Sequence, residues 1–412
     1  MKNLLKGLLL LNVALMMGLT ACNNESSSLV APEQVETRAI TASGKVTESA
    51  TWSGTVYLQG KVYVTNGATL TIMPGTKVIG KYANEAKEAS ALIITRGSKI
   101  EANGTADSPI IMTSEDSHKH PGGWGGLVLM GRAKVNQVNP TIEGITKEEA
   151  KGADIEYGGS DDADSSGSLT YVRVEYAGAN IADGNELNSF TFGGVGSGTT
   201  LHHLQSYYGE DDGFEFFGGT VSAKYLVSTS THDDAFDFDF GYRGTIEYAL
   251  STVDPKSTFY TKDPNGIECD NDGQGSSLTP LTRPVLKYFT IVGTSTGKVA
   301  KSAVKEGEPN SLMSGANFRR NAQFDLQNSI ICGYPKGILK DTNNDYILKN
   351  NYVTSTDEGK EFVPFTPDAS NRKELPLIAP FSGTGSSLMS KVSGIGAFAH
   401  GYWLSGNWVI GY

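Results

Sequence analysis

Phe190-Thr191-Phe192-Gly193-Gly194, Phe214-Glu215-Phe216-Phe217-Gly218-Gly219 and Phe236-Asp237-Phe238-Asp239-Phe240-Gly241 begin 24 and 22 residues apart. Each places phenylalanine at every second position and then turns at glycine, the pattern of a short strand with one apolar face. Gly198-Thr199, Gly219-Thr220 and Gly244-Thr245 recur with nearly the same period. Strand repeats of 20 to 30 residues with no helix between them cannot bury their apolar side alone and must stack on one another. A propeller blade needs about twice that length, and the leucine and asparagine ladder of a leucine-rich repeat is absent. The expected fold is therefore all-β, a right-handed parallel β-helix of roughly ten to twelve coils spaced at about 4.8 Å.

The pattern extends outward in both directions. Val62 to Ile79 and Leu92 to Thr105 share a strand, an Asn-Gly or Arg-Gly turn and a second strand at an offset of about 30 residues. The β-helix is placed at residues 51–355. Only Ala83 to Ser90 and a turn near Glu148 have helical character. Residues 356–412 lose the period and contain Pro364, Pro367, Pro376 and Pro380 followed by Trp403 and Trp408, as expected of an irregular C-terminal cap over an open solenoid end. The 49 glycines among 412 residues, well above the usual ~7 percent, suit many tight turns. A net charge of −11 excludes nucleic acid as a partner, which needs a basic face.

Residues 1–21 read as an export signal: Lys2 and Lys6, a short apolar run, then Leu19-Thr20-Ala21 before Cys22. A cysteine directly after the small residue marks a lipoprotein signal, with Cys22 the lipid attachment site. Several acyl chains on one residue anchor stably, at about 0.8 kcal/mol per buried methylene. Residues 22–50 are expected to be a flexible tether. Cys269 and Cys332 match no zinc spacing and are expected to be buried thiols.

Residues 205 to 275 hold 14 acidic and 4 basic residues. Aligning the repeats places Glu210-Asp211-Asp212 beside His232-Asp233-Asp234, Glu215 beside Asp237, and Phe217 beside Asp239. Like charges about 4 Å apart repel by about 4 kcal/mol at an effective dielectric near 20, so such stacking requires a cation or retained protons. Calcium suits flexible carboxylate ligands, and Glu210, Asp211, Asp212, Asp233, Asp234, Asp237 and Asp239 are its candidate ligands. Asp161, Asp162 and Asp164, and Glu268, Asp270 and Asp272, are secondary candidates. The alternatives are a solvated acidic ridge and a pair of glycosidase carboxylates, although the expected Gly-His-Gly and Arg-x-Lys strings are missing. His118 and His120 lack a third ligand. His202 and His203, read as strand neighbours, are expected to face opposite sides.

The strings Gly122-Gly123-Trp124-Gly125-Gly126-Leu127-Val128-Leu129-Met130-Gly131-Arg132-Ala133, Tyr157 to Gly167, Tyr171 to Gly178 and Gly193 to Thr200 resemble those of a family of outer-membrane lipoproteins with a pectate-lyase-like β-helix. The resemblance implies the right-handed β-helix, display at the outer membrane towards the periplasm or the cell surface, and association with TonB-dependent transporters. It implies no particular activity. Three functions follow as expectations: a non-enzymatic anchored protein that binds a calcium-like cation and a ligand or transporter; a lyase or glycoside hydrolase acting on acidic glycans; or a structural surface protein.

Overall fold

The structure is a computed structural model and describes residues 39–83, 85–182, 185–261, 263–301, 310–340, 345–382 and 385–412. The export signal, Cys22 and most of the expected tether lie outside the described residues.

The alternating strands stack as the period requires. Twenty-five of them join one sheet network in which neighbouring coils pair in parallel. The result is a right-handed parallel β-helix, the hand that crossovers between parallel strands of L-residues adopt. Its coils present three faces. The face that positions the acidic residues runs through Ala91–Ile94, Gly126–Met130, Phe190–Gly193, Phe214–Phe217, Phe236–Asp239, Ile267–Cys269, Ser314–Phe318, Lys336–Lys340 and Phe362–Val363. Register along it is in step: Thr191 pairs with Glu215, Glu215 with Asp237, and Asp237 with Glu268.

Because side chains alternate, the phenylalanines between these positions all point inward. Phe190, Phe214 and Phe236 stack with ring centroids 4.8 and 5.5 Å apart, and Phe192, Phe216 and Phe238 do so at 4.9 and 5.3 Å. All six are buried in one continuous core.

The other two faces meet at a sharp bend. Tyr171, His203, Tyr225, Tyr248 and Tyr288, equivalent residues on five successive coils, each adopt φ between 51 and 63°. The left-handed conformation is costly for residues of this size. Its offset is visible in the packing, since the rings stack on one another at 4.4 to 5.1 Å from His203 through Tyr288 and Tyr171 lies 4.4 Å from His203.

The solenoid starts earlier than expected. Ile40–Val46, assigned by sequence to the tether, is a strand paired in parallel with Val56 to Val64. Alternation is masked there by Ser43-Gly44, where the register shifts. The C-terminal segment does two things. Phe362–Val363 adds the last strand, and Phe362 and Phe365 close the end of the core. Residues beyond 377 then run back along the flank, where Trp408, Leu404 and Phe398 cover Val227, Leu250 and Ile330. Gln205 fastens the tail from both of its amide atoms: it accepts from the Ile410 N–H at 2.9 Å and donates to the Ile410 carbonyl at 2.8 Å. Among the described residues helix is confined to single turns at Ala86–Glu88, Asp116–His118, Lys147–Ala150 and Gly385–Leu388. Both Cys269 and Cys332 are buried free thiols.

The stacked phenylalanines make a local prediction. Phe214→Ala removes the middle ring of one stack and is expected to destabilise the protein by about 3–5 kcal/mol, measured by denaturant unfolding, with the strand signal in circular dichroism retained.

Candidate functional site: a buried carboxylate row

The acidic residues of the three repeats lie on the outer side of the phenylalanine strands, but that side is not solvent. Residues between the strands Gly126–Met130 and Gly167–Glu175 form an insertion laid over it. Ile142, Ile145, Ile155 and Tyr157 of the insertion pack with Val128, Met130 and Phe217 of the coils. Asn136 ties its edge to Asn271, donating to the carbonyl at 2.9 Å. Asp212, Glu215, Asp234, Asp237 and Glu268 are each less than a tenth exposed. A solvated ridge is thereby excluded for these five.

Their placement has two components. Glu215, Asp237 and Glu268 stack along the strands and lead to Asn317. Asp212 and Asp234 occupy the preceding corner, where each coil caps the next. The Asp212 N–H donates to Asn188 Oδ1 at 3.2 Å, the Asp234 N–H to Asp212 Oδ1 at 2.8 Å, the Asn265 N–H to Asp234 Oδ1 at 2.7 Å, and the Ser314 N–H to Asn265 Oδ1 at 3.1 Å. One oxygen of each corner aspartate is committed to this ladder. Asparagine serves the same purpose on the flanking coils.

Three overlapping triads result: Asp211, Asp212 and Asp233; Asp212, Glu215 and Asp237; and Asp234, Asp237 and Glu268. Within each triad, one carboxylate oxygen from every residue lies within 4.8 Å of the others. At the far end the charge is offset internally. Arg319 pairs with Glu268 and, at 3.2 Å, with Asp270, which Arg320 also contacts at 2.8 Å. Among the described residues, no lysine or arginine stands within ion-pair distance of Asp212, Glu215, Asp234, Asp237 or Asp239. Two further oxygens beside the row lack partners. Asn317 Oδ1 and Asp239 Oδ1 are buried without a hydrogen-bond partner, although Asn317 is 8 % exposed and its Nδ2 already donates to Glu268.

Burial, followed by neighbouring charge, drives these groups towards the protonated form. Burial and then Asp211 raise Asp212 well above the carboxylate range; burial and then Asp237 do the same to Glu215, and burial and then Glu268 to Asp234. Asp237 is pushed to about 7 by burial and Asp270. Burial and Asp233 raise Asp211, and burial and Asp237 raise Asp239. His232 is held down at about 4 by burial and stays neutral, with Nδ1 donating to the Gly209 carbonyl and Nε2 accepting from Ser257.

The remaining sequence candidates separate. Glu268 joins the row and Asp270 is clasped by the two arginines. Glu210 lies beside the Gly122 turn and belongs to none of the triads. Asp161, Asp162 and Asp164 cap turns: Asp164 accepts from the Arg132 N–H, Asp162 from the Lys134 N–H and Arg243, and Asp161 from the Ala163 N–H. Asp272 caps its own turn through the Gln274 and Ser276 N–H groups. His202 and His203 are not on opposite sides; their Nδ1 atoms lie 3.0 Å apart, because the left-handed conformation of His203 breaks the alternation on which that expectation rested.

Sequence reasoning missed Asn188, Asn265 and Glu143. The first two were legible: Asn188, Asp212, Asp234 and Asn265 each stand two residues before the first inward apolar residue of a strand. Glu143, raised to about 7 by burial and Glu186, comes from the insertion and carries no repeat signal.

The family model of the pectate-lyase-like β-helix domain matches residues 44–377, and the chain belongs to that family. No curated protein and no solved structure matches it.

A pH dependence follows from the raised groups. Asp237 and Glu143 hold their protons in the folded protein up to about pH 7 and lose them near 4 when unfolded. The folded state therefore binds more protons between these values, and stability falls as pH rises through them. In chelator the melting temperature is expected to decline from about pH 4 to about pH 7.

Proposed function

We propose that this protein is a lipid-anchored outer-membrane β-helix whose carboxylate row holds a calcium-like cation, and that the fold so fastened presents a surface to a ligand or to a TonB-dependent transporter. The observation that carries the cation is the overlap of three carboxylate triads, two of them drawn wholly from residues less than a tenth exposed, with two buried, unpartnered oxygens beside them. Oxygen-only donors from carboxylates and an amide suit calcium, which takes 6 to 8 oxygen ligands in irregular geometry. The ion joins three successive coils to one another, which makes it a fastening. Burial beneath the insertion supports that role over polysaccharide cleavage, since the same carboxylates offer little open surface to a glycan chain. A lyase also needs a basic residue to take the sugar proton, and Arg319, the guanidinium at the end of the row, is already engaged by Glu268 and Asp270.

The anchor rests on Cys22 following an export signal. Display at the outer membrane and pairing with a transporter rest on the resemblance of the glycine-rich strings. The non-enzymatic reading agrees with the absence of a hydrolase signature from the sequence.

A cation that binds only the folded protein stabilises it by about 2.7 kcal/mol at 100 times its dissociation constant. Chelation should lower the melting temperature and calcium should restore it. Replacing Asp212 and Asp234 together by Asn keeps the Oδ1 acceptors of the corner ladder, a substitution that Asn188 and Asn265 already show to fit. The double variant should fold and lose its calcium response. A parent protein indifferent to both chelator and millimolar calcium would remove the cation.

Cys22→Ala tests the anchor separately. Without acylation the exported chain is expected in the soluble fraction of lysed cells, and recovery of the variant in the membrane fraction would sink the assignment.

A further inference from the structure

The first coils hold a second feature, remote in chemistry from the carboxylates. A cavity of about 1490 Å³ opens between the Ile40–Val46 and Thr55–Val64 strands, the segment around Ala86–Glu88, and the Lys147–Ala150 turn of the insertion. It exceeds the 300 to 1,000 Å³ usual for small-ligand sites, so an occupant of saccharide or headgroup size fits. Five lysines line it, Lys45, Lys61, Lys81, Lys87 and Lys151, against the glutamates Glu88, Glu148 and Glu149. That is an excess of two positive charges in a chain of net −11.

Fixed neighbours account for only part of this charge. Lys61, buried, pairs with Glu149 at 3.1 Å and donates to the Lys87 carbonyl at 2.6 Å, while Lys87 pairs with Glu85 at 2.9 Å. Lys45, Lys81 and Lys151 have no carboxylate within ion-pair distance among the described residues. Lys45 Nζ donates instead to the Lys151 carbonyl at 2.8 Å, which brings two of these residues to one rim. In the wall, the Tyr63 hydroxyl is buried without a hydrogen-bond partner, an unused donor beside the lysines.

The geometry points to a binding site for a phosphate-bearing ligand in this groove. Lysine ammonium groups act as compact point charges that suit a phosphate, whereas planar carboxylates are matched best by the arginine fork, and among the described residues no arginine lines the cavity. The phosphate belongs either to a soluble molecule or to a lipid headgroup. The site is independent of the cation proposal and shares none of the carboxylate row.

The test uses the full-length protein in nonionic detergent at low ionic strength, titrated with inorganic pyrophosphate and, separately, with mixed micelles containing phosphatidylglycerol. Saturable binding that weakens with salt and is unaffected by chelator is expected. Lys45→Ala, Lys81→Ala and Lys151→Ala combined should weaken it at least about tenfold, the worth of one hydrogen bond to a charged group, while circular dichroism stays that of the parent. Binding of pyrophosphate alone assigns a soluble ligand, and binding of the micelles, with or without pyrophosphate, assigns a headgroup. Failure of both probes to bind, or equal affinity in the triple variant, would overturn the site.

Discussion

Parallel stacking in register is the constraint on which this molecule depends. A coil of about 22 residues has no core of its own, so each strand takes its partners and its apolar cover from the coils before and after it. In-register pairing then places every side chain about 4.8 Å from its equivalent. For phenylalanine this is close to an offset-stacking distance, and the inner columns accordingly form rings in near-parallel contact. For carboxylates the same geometry is adverse. The row from Glu215 through Asp237 to Glu268 is thus a consequence of the arrangement that builds the core.

An acid at one rung is tolerable in water; three rungs beneath an insertion are not, unless their charge is met or their protons are retained. The two parts of the row differ in this. At Glu268 and Asp270 the chain supplies guanidinium groups from Arg319 and Arg320. One and two coils earlier no lysine or arginine among the described residues does so; Asp239 there, and Asn317 on the coil after Glu268, leave oxygens unpartnered. The corner ladder explains why aspartate is nevertheless accommodated at Asp212 and Asp234. One oxygen of each is a structural acceptor for the next coil, interchangeable with the amide oxygen of Asn188 or Asn265. The second carboxylate oxygen is what asparagine does not reproduce, and it is the one available to an ion.

The tail and the bend show a similar dependence. Left-handed residues recur on five coils because a bend needed by one coil is needed at the same place by its neighbours. Their stacked rings stand beside the segment that returns from residue 377, with Trp403 and Trp408 against Tyr225 and His203. Burial of Val227, Leu250 and Ile330 under that segment seals a flank that would otherwise expose an apolar stripe.

Much of this was legible in the residues themselves. The two-residue alternation and the 22- to 24-residue period specify strands, coils, the inward phenylalanines and even the pairing of Glu215 with Asp237, because these follow from local periodicity and from equal spacing between rungs. The extra strand at Ile40–Val46 was hidden by the register shift at Gly44, and the contact between His202 and His203 by a backbone conformation that no side-chain pattern announces. Whether the acids face water or protein was decided only in three dimensions. The insertion that buries them, its Glu143, the guanidinium groups that end the row and the lysine-lined groove come from segments with no repeat. Periodicity fixes which residues stack, since stacking is a nearest-neighbour property. What covers the stack depends on contacts between residues far apart in the chain, and those carry no period to read.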